Sequence, residues 1–92
     1  AAKVTGPVLQ TYRAAIARGQ LSAQERQGLS LVTRREREVL ALIARGATNG
    51  EIAREMVIAD TTVKTHVSSL LSKLAARDRV ALVLLAQKAG IA

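Results

Sequence analysis

Between Asp60 and Leu74 the apolar positions recur three and four residues apart. Val63, Val67, Leu70 and Leu74 fall on one narrow stripe at about 100° per residue, and Leu71 widens it. The spacing predicts an amphipathic helix over about 60–74 with one face committed to a core. Its opposite face carries Thr61, Thr65, Ser68 and Ser72, with Lys64 on one flank and Thr62, His66, Ser69 and Lys73 on the other. No acidic residue follows Asp60 within the helix. A face turned only to water usually mixes both charge signs. This one offers cations and small hydrogen-bonding groups, which suit the phosphates and base edges of a DNA major groove. The pattern is that of a recognition helix.

The same periodicity organises the rest of the chain. Pro7 fits a first helical turn, and Val8, Leu9, Tyr12, Ala15 and Ile16 share a face up to a stop at Gly19, predicting a helix over about 7–18. Residues 20–32 read mainly as linker, although Ser22 to Glu25 has the form of a capping box that can open a short helical turn. Thr33 to Glu36 is a second capping box, followed by the stripe Val39, Leu40, Ile43 and Ala44 and closed by Gly46. Thr48 to Glu51 is a third, with Ile52, Ala53 and Met56 pointing inward; Gly50 costs that helix about 0.5–1 kcal/mol against Ala. Only Val57, Ile58 and Ala59 separate it from Asp60, the connection of a helix-turn-helix. Asp78 is placed to cap a last helix over about 78–89, apolar nearly all round, with Leu82, Val83, Ala86 and Ala89 on one side. The other side, Val80, Ala81, Leu84, Leu85 and Lys88, is expected to meet a second copy of the chain, with the helix over 7–18 as the alternative cover. The expected fold is all-α: residues 1–32 as linker with one amphipathic helix, and residues 33–92 as a four-helix domain.

Charge narrows the choice of partner. Fourteen Lys and Arg face seven Asp and Glu, a balance of +7 shared between residues 1–32 (+3) and 33–92 (+4). A small basic domain of this kind favours a polyanion, nucleic acid before an anionic membrane. Tyr12 is the only aromatic residue, which argues against the stacking platforms of single-strand and RNA readers and for duplex DNA. Without Cys there is neither a disulfide nor a thiolate metal site, and the composition fits a cytoplasmic, nucleoid-associated protein. No apolar run approaches the roughly 18 residues of a membrane span. The opening at Ala1 without Met is what a fragment of a longer protein would have.

These motifs together resemble the LuxR-type (NarL/FixJ, GerE) DNA-binding domain. The resemblance runs from Val32 to Leu85. It rests on Thr33 before Arg35-Glu36-x-Glu38-Val39-Leu40, on Thr48-Asn49-x-Glu51-Ile52-Ala53, on Thr62-Val63-Lys64-x-His66-Val67 with Lys73-Leu74, and on Asp78-Arg79. It implies a dimer on paired DNA half-sites, controlling transcription. In many members a phosphorylatable receiver domain lies upstream, and RNA polymerase is a further partner of such a regulator. Two positions depart from the family. Ala59 stands where Ser usually caps the recognition helix, a loss of about 1 kcal/mol unless Asp60 takes over the cap. Ala75 stands where Gly usually ends that helix, at a similar cost if the residue is left-handed.

Roles follow from chemistry and face. Lys64, Thr65 and Ser68 are the candidates for base contact; Lys64 can donate to guanine O6 and N7, and the Thr65 methyl can meet a thymine methyl. Thr48, Asn49, Thr62, His66, Ser69 and Lys73 are the candidates for phosphate contact. The single histidine has no second ligand at metal spacing, so no catalytic, metal or cofactor site is expected. Two other classes compete with this reading. A sigma-factor-type promoter reader would not need the apolar last helix, and a helical adaptor for an acidic partner would not need the acid-free face from Thr61 to Ser72.

Overall fold

The computed structural model describes residues 21–91; the helix expected over 7–18 lies outside them. Within this range the chain forms five α-helices and no strand: α1 (Ala23–Ser30), α2 (Arg34–Ala44), α3 (Asn49–Met56), α4 (Asp60–Lys73) and α5 (Arg79–Lys88).

Side chains open four of the five. Ser22, Thr33 and Thr48 each accept the amide of a glutamate three residues on, while that glutamate accepts the cap residue's own N–H, at 2.8–3.1 Å throughout. Asp78 caps α5 by accepting the Ala81 amide at 2.9 Å. The exception is α4. Ala59 occupies its cap position with no side-chain hydrogen bond, and Asp60 lies within the first turn, where its charge faces the positive end of the helix dipole without replacing the cap.

The last four helices close alike, with an amide reaching back to the carbonyl five residues earlier: Ala47 to Leu42, Ile58 to Ala53, Ala76 to Leu71 and Ile91 to Ala86, at 2.8–3.1 Å. This closure needs one left-handed residue. Glycine supplies it at Gly46 (φ 90°) and Gly90 (φ 73°), but Val57 (φ 56°) and Ala75 (φ 52°) adopt it with a Cβ present. Each of those two strains the chain by about 1 kcal/mol.

The core forms around α2. Val39, Leu40, Leu42 and Ile43 meet Ile52 and Ala53 of α3, Val63 and Leu70 of α4 with Leu74, and Leu82, Leu85 and Ala86 of α5 with Ile91. α2 packs most extensively on α5 and α4, and α3 packs chiefly on α4. Removing such apolar surface from water stabilises the fold by about 25 cal/mol per Å².

Two regions differ from the expectation. The stretch read mainly as linker contains α1, a complete two-turn helix held on the rest of the domain. Glu25 pairs with Lys88 at 3.0 Å, and Leu21, Leu29 and Val32 pack against the core. Gly28 lets the α1 backbone lie directly on the end of α4: a Cβ there would stand 2.6 Å from the Lys73 carbonyl oxygen. The second difference is in α5. Leu85, expected on the outward side, stands three residues after Leu82 and so shares its face; it is buried in the core. Lys88, expected beside it, is half-buried against Glu25.

Candidate nucleic-acid interface

α3, the turn Val57–Ala59 and α4 place two helix faces side by side. On α4 the core side is complete: Val63, Leu70 and Leu74 are buried, and Val67 and Leu71 are half-buried behind them. The opposite side is bare. Thr61, Thr62, Lys64, Thr65, Ser68 and Ser72 are all exposed. Lys64 pairs with no carboxylate among the described residues. Thr65 donates its hydroxyl to the Thr61 carbonyl at 3.0 Å, so it offers its methyl group and an acceptor lone pair rather than a free O–H. The three residues expected at bases are therefore open, and they occupy one surface.

The expected phosphate contacts divide. Thr62 is exposed and His66 half-buried on the flank of α4. Thr48 accepts from the Glu51 amide and keeps its own O–H to donate. Asn49 accepts through Oδ1 from the Arg79 guanidinium at 2.7 Å, an orientation chemically required because guanidinium only donates. The Asn49 amide nitrogen is thereby left free to donate at the start of α3. Arg79 also donates to the Ala47 carbonyl at 2.6 Å, so it ties α5 to the entry of α3.

Ser69 and Lys73 are placed differently from the expectation. Both turn inward onto Glu36 of α2. Ser69 Oγ donates to Glu36 Oε2 at 2.6 Å, Lys73 Nζ donates to Oε1 at 2.7 Å, and Oε1 also accepts the Thr33 amide at 2.9 Å. The Glu36 carboxylate is 6% exposed, the only buried charged residue among those described. Burial alone would raise its pKa. The hydrogen bonds from Lys73, Ser69 and Thr33, with the charge of Lys73, outweigh that and hold it at about 2. Glu36 is thus ionised at neutral pH, and Lys73 is its counter-ion.

Nothing in the spacing of residues 36, 69 and 73 announces this cluster, because its members lie 33 and 37 positions apart. Arg54 was also missed. Its guanidinium folds back along α3 and passes 3.7 Å from where a Gly50 Cβ would sit, adding a cation to the first turn of α3. In the basic run on α2, Arg34 and Arg35 both reach Glu38 of the same helix, at 3.8 and 2.9 Å. No group of three His, Asp or Glu side chains placed to hold a metal occurs among the described residues. None of their helices is long and apolar enough to cross a membrane.

On the outer side of α5, Val80 is 66% and Leu84 57% exposed, with Ala81 half-buried between them. What remains of the surface expected to meet a second copy is this smaller apolar patch.

Comparison with known proteins agrees with this geometry. Residues 30–86 match the model of the family described as bacterial regulatory proteins, luxR family. The chain is 48% identical over 64 residues to the uncharacterized transcriptional regulatory protein YhcZ of Bacillus subtilis, covering 70% of this chain and 30% of that protein. It is 54% identical over 48 residues to the transcriptional regulatory protein LiaR of the same organism, covering 52% of this chain and 23% of LiaR. With the response regulator protein VraR of Staphylococcus aureus it shares 52% identity over 56 residues, covering 61% and 27% of the two chains. The chain thus spans less than a third of the length of each of these relatives.

Proposed function

This chain belongs to the LuxR family of bacterial regulatory proteins and carries its helix-turn-helix DNA-binding domain, and from that premise we propose that it reads paired operator half-sites as a dimer, with α4 in the major groove. The observation that carries the reading is the bare, acid-free face of α4, where Thr61, Lys64, Thr65 and Ser68 lie open opposite the buried Val63, Leu70 and Leu74. Lys64, Thr65 and Ser68 contact bases. Lys64 supplies the donor for guanine, and the Thr65 methyl packs on thymine, its hydroxyl being occupied by Thr61. Thr48, Asn49, Thr62 and His66 hold phosphates and set the register of the helix without reading sequence. Arg54 brings a cation to the same flank. Two protomers meet through Val80 and Leu84, with Ala81 at the edge.

The relatives named as response regulators support a further step. The protein acts in the cytoplasm, at the nucleoid, as the output end of a longer regulator. A receiver domain upstream takes the signal, and RNA polymerase receives the outcome.

Selection of bound duplexes from a random pool tests the central claim by giving half-site and spacing together. A dimer with several phosphate contacts per protomer loses affinity by about 10³ between 50 and 200 mM salt. Lys64→Ala weakens binding and relaxes the preference at one base position; equal weakening on all sequences would reassign Lys64 to a phosphate. Leu84→Asp lowers the assembly state in sedimentation while helicity by circular dichroism is kept.

A further inference from the structure

Glu36 is buried for a reason that helix capping does not provide. The three capping boxes form an internal control. In the box that opens α3, Glu51 satisfies Thr48 and stays exposed. Reciprocal capping therefore does not require burial, and glutamine would serve the same cap. What a carboxylate adds at position 36 is an ion pair with Lys73 and a short bond from Ser69, residues one helical turn apart on α4. Apolar packing is non-directional, so the stripe of Val63, Leu70 and Leu74 fixes the rotation of α4 about its axis less sharply than directed bonds do. Hydrogen bonds have directions. A rotation of about 20° moves a side-chain tip on a helix of this radius by roughly 2 Å, enough to break a base contact but not a diffuse attraction to phosphate.

We propose that Glu36 is the positioning residue of the DNA-reading helix: it locks the C-terminal half of α4 to the start of α2, withholds Lys73 from DNA and confines sequence reading to Asp60–Ser68. The proposal rests on the DNA-binding reading above and assigns Lys73 and Ser69 a place in the scaffold instead of at a phosphate. It makes Glu36 a determinant of specificity that never touches DNA.

The test compares wild type, Lys73→Met, Glu36→Gln and the double variant of the full chain, each at a temperature where circular dichroism finds it folded. Affinity is measured across a salt series on a duplex selected from a random pool and on a scrambled duplex. Lys73→Met is expected to keep the wild-type salt slope, bind the selected duplex about 10-fold less tightly and leave the scrambled duplex within about 2-fold. Lys64→Ala, the control for a base contact, weakens binding to the selected duplex and relaxes the preference at one base position. The double variant loses no more discrimination than the worse single variant, because both act through one contact. A slope shallower by about 0.9 in Lys73→Met makes Lys73 a phosphate ligand and overturns the proposal. So does an equal loss on both duplexes, which would mean a role in stability alone. Discrimination surviving unchanged in both single variants overturns the inference while the DNA reading stands; a wild-type chain that holds neither duplex overturns both.

Discussion

The two halves of α4 are built from similar residues and do different things. From Asp60 to Ser68 the polar side chains are turned outward: Thr61, Thr62, Lys64, Thr65 and Ser68 are exposed, and the helix start has no side-chain cap. From Ser69 to Lys73 the comparable groups, a serine and a lysine, are drawn in and bonded to a buried glutamate. One half keeps its hydrogen-bonding capacity for a partner; the other spends it on the fold. Serine and lysine are thus not intrinsically residues of an interface. A carboxylate on a neighbouring helix decides which of them are available.

The largest effect that can break this comparison is removal of the carboxylate. Glu36→Ala leaves the Ser69 and Lys73 donors without their acceptor and strips the Thr33 box of its return bond, so urea unfolding is expected to report a loss of about 3 kcal/mol. Acid gives a nearly equal reading without mutation. The Glu36 pKa is lowered from 4.5 to about 2, so its contribution is whole above about pH 4.5 and fades as pH falls through 2. The group contributes no pH dependence between pH 5 and 8. Glu36 adds up to about 3 kcal/mol to the acid limb of wild type. In pH-dependent unfolding, Glu36→Gln is expected to lose that part and keep the smaller one from Glu25 and Glu51, whose pKa values their capping hydrogen bonds also lower.

Smaller changes sharpen the boundary between the halves. Ser69→Ala is expected to cost about 1–2 kcal/mol, because its hydroxyl bonds a buried charge. Ala59→Ser installs the missing cap and should stabilise by about 1 kcal/mol in thermal or urea melts. Ser68→Ala, one residue before Ser69 and exposed, should change stability by less than about 0.5 kcal/mol while altering duplex binding. If Ser68 and Ser69 prove equally costly to the fold, the division of α4 is wrong.

What could be read in advance was local. The capping boxes at Thr33 and Thr48, the stops at Gly46 and Gly90, and the face of Lys64, Thr65 and Ser68 all depend on residues within one or two turns of each other. The family resemblance ordered those pieces, and the match over residues 30–86 agrees with it. What could not be read was set by contacts between distant segments. α1 lacks a regular apolar stripe, and its place depends on Gly28 meeting a carbonyl 45 residues later. Lys73 is a phosphate candidate by its face alone until folding brings Glu36 beside it, and the partners of Arg79, Asn49 and the Ala47 carbonyl, lie 30 and 32 positions away. Leu85 was the exception, since its spacing from Leu82 already put it inside and was misread as an outward row with Leu84.

The left-handed Val57 and Ala75 have a consequence for how much sturdier this domain can be made. Both bracket α4, and both hold a backbone shape that glycine adopts freely. Neither side chain is buried, so Val57→Gly and Ala75→Gly remove little that is packed and together relieve on the order of 1–2 kcal/mol. The chain therefore stops short of its own stability ceiling at the two ends of the helix that bears the bare polar face, and that reserve can be recovered without altering a single outward side chain of α4.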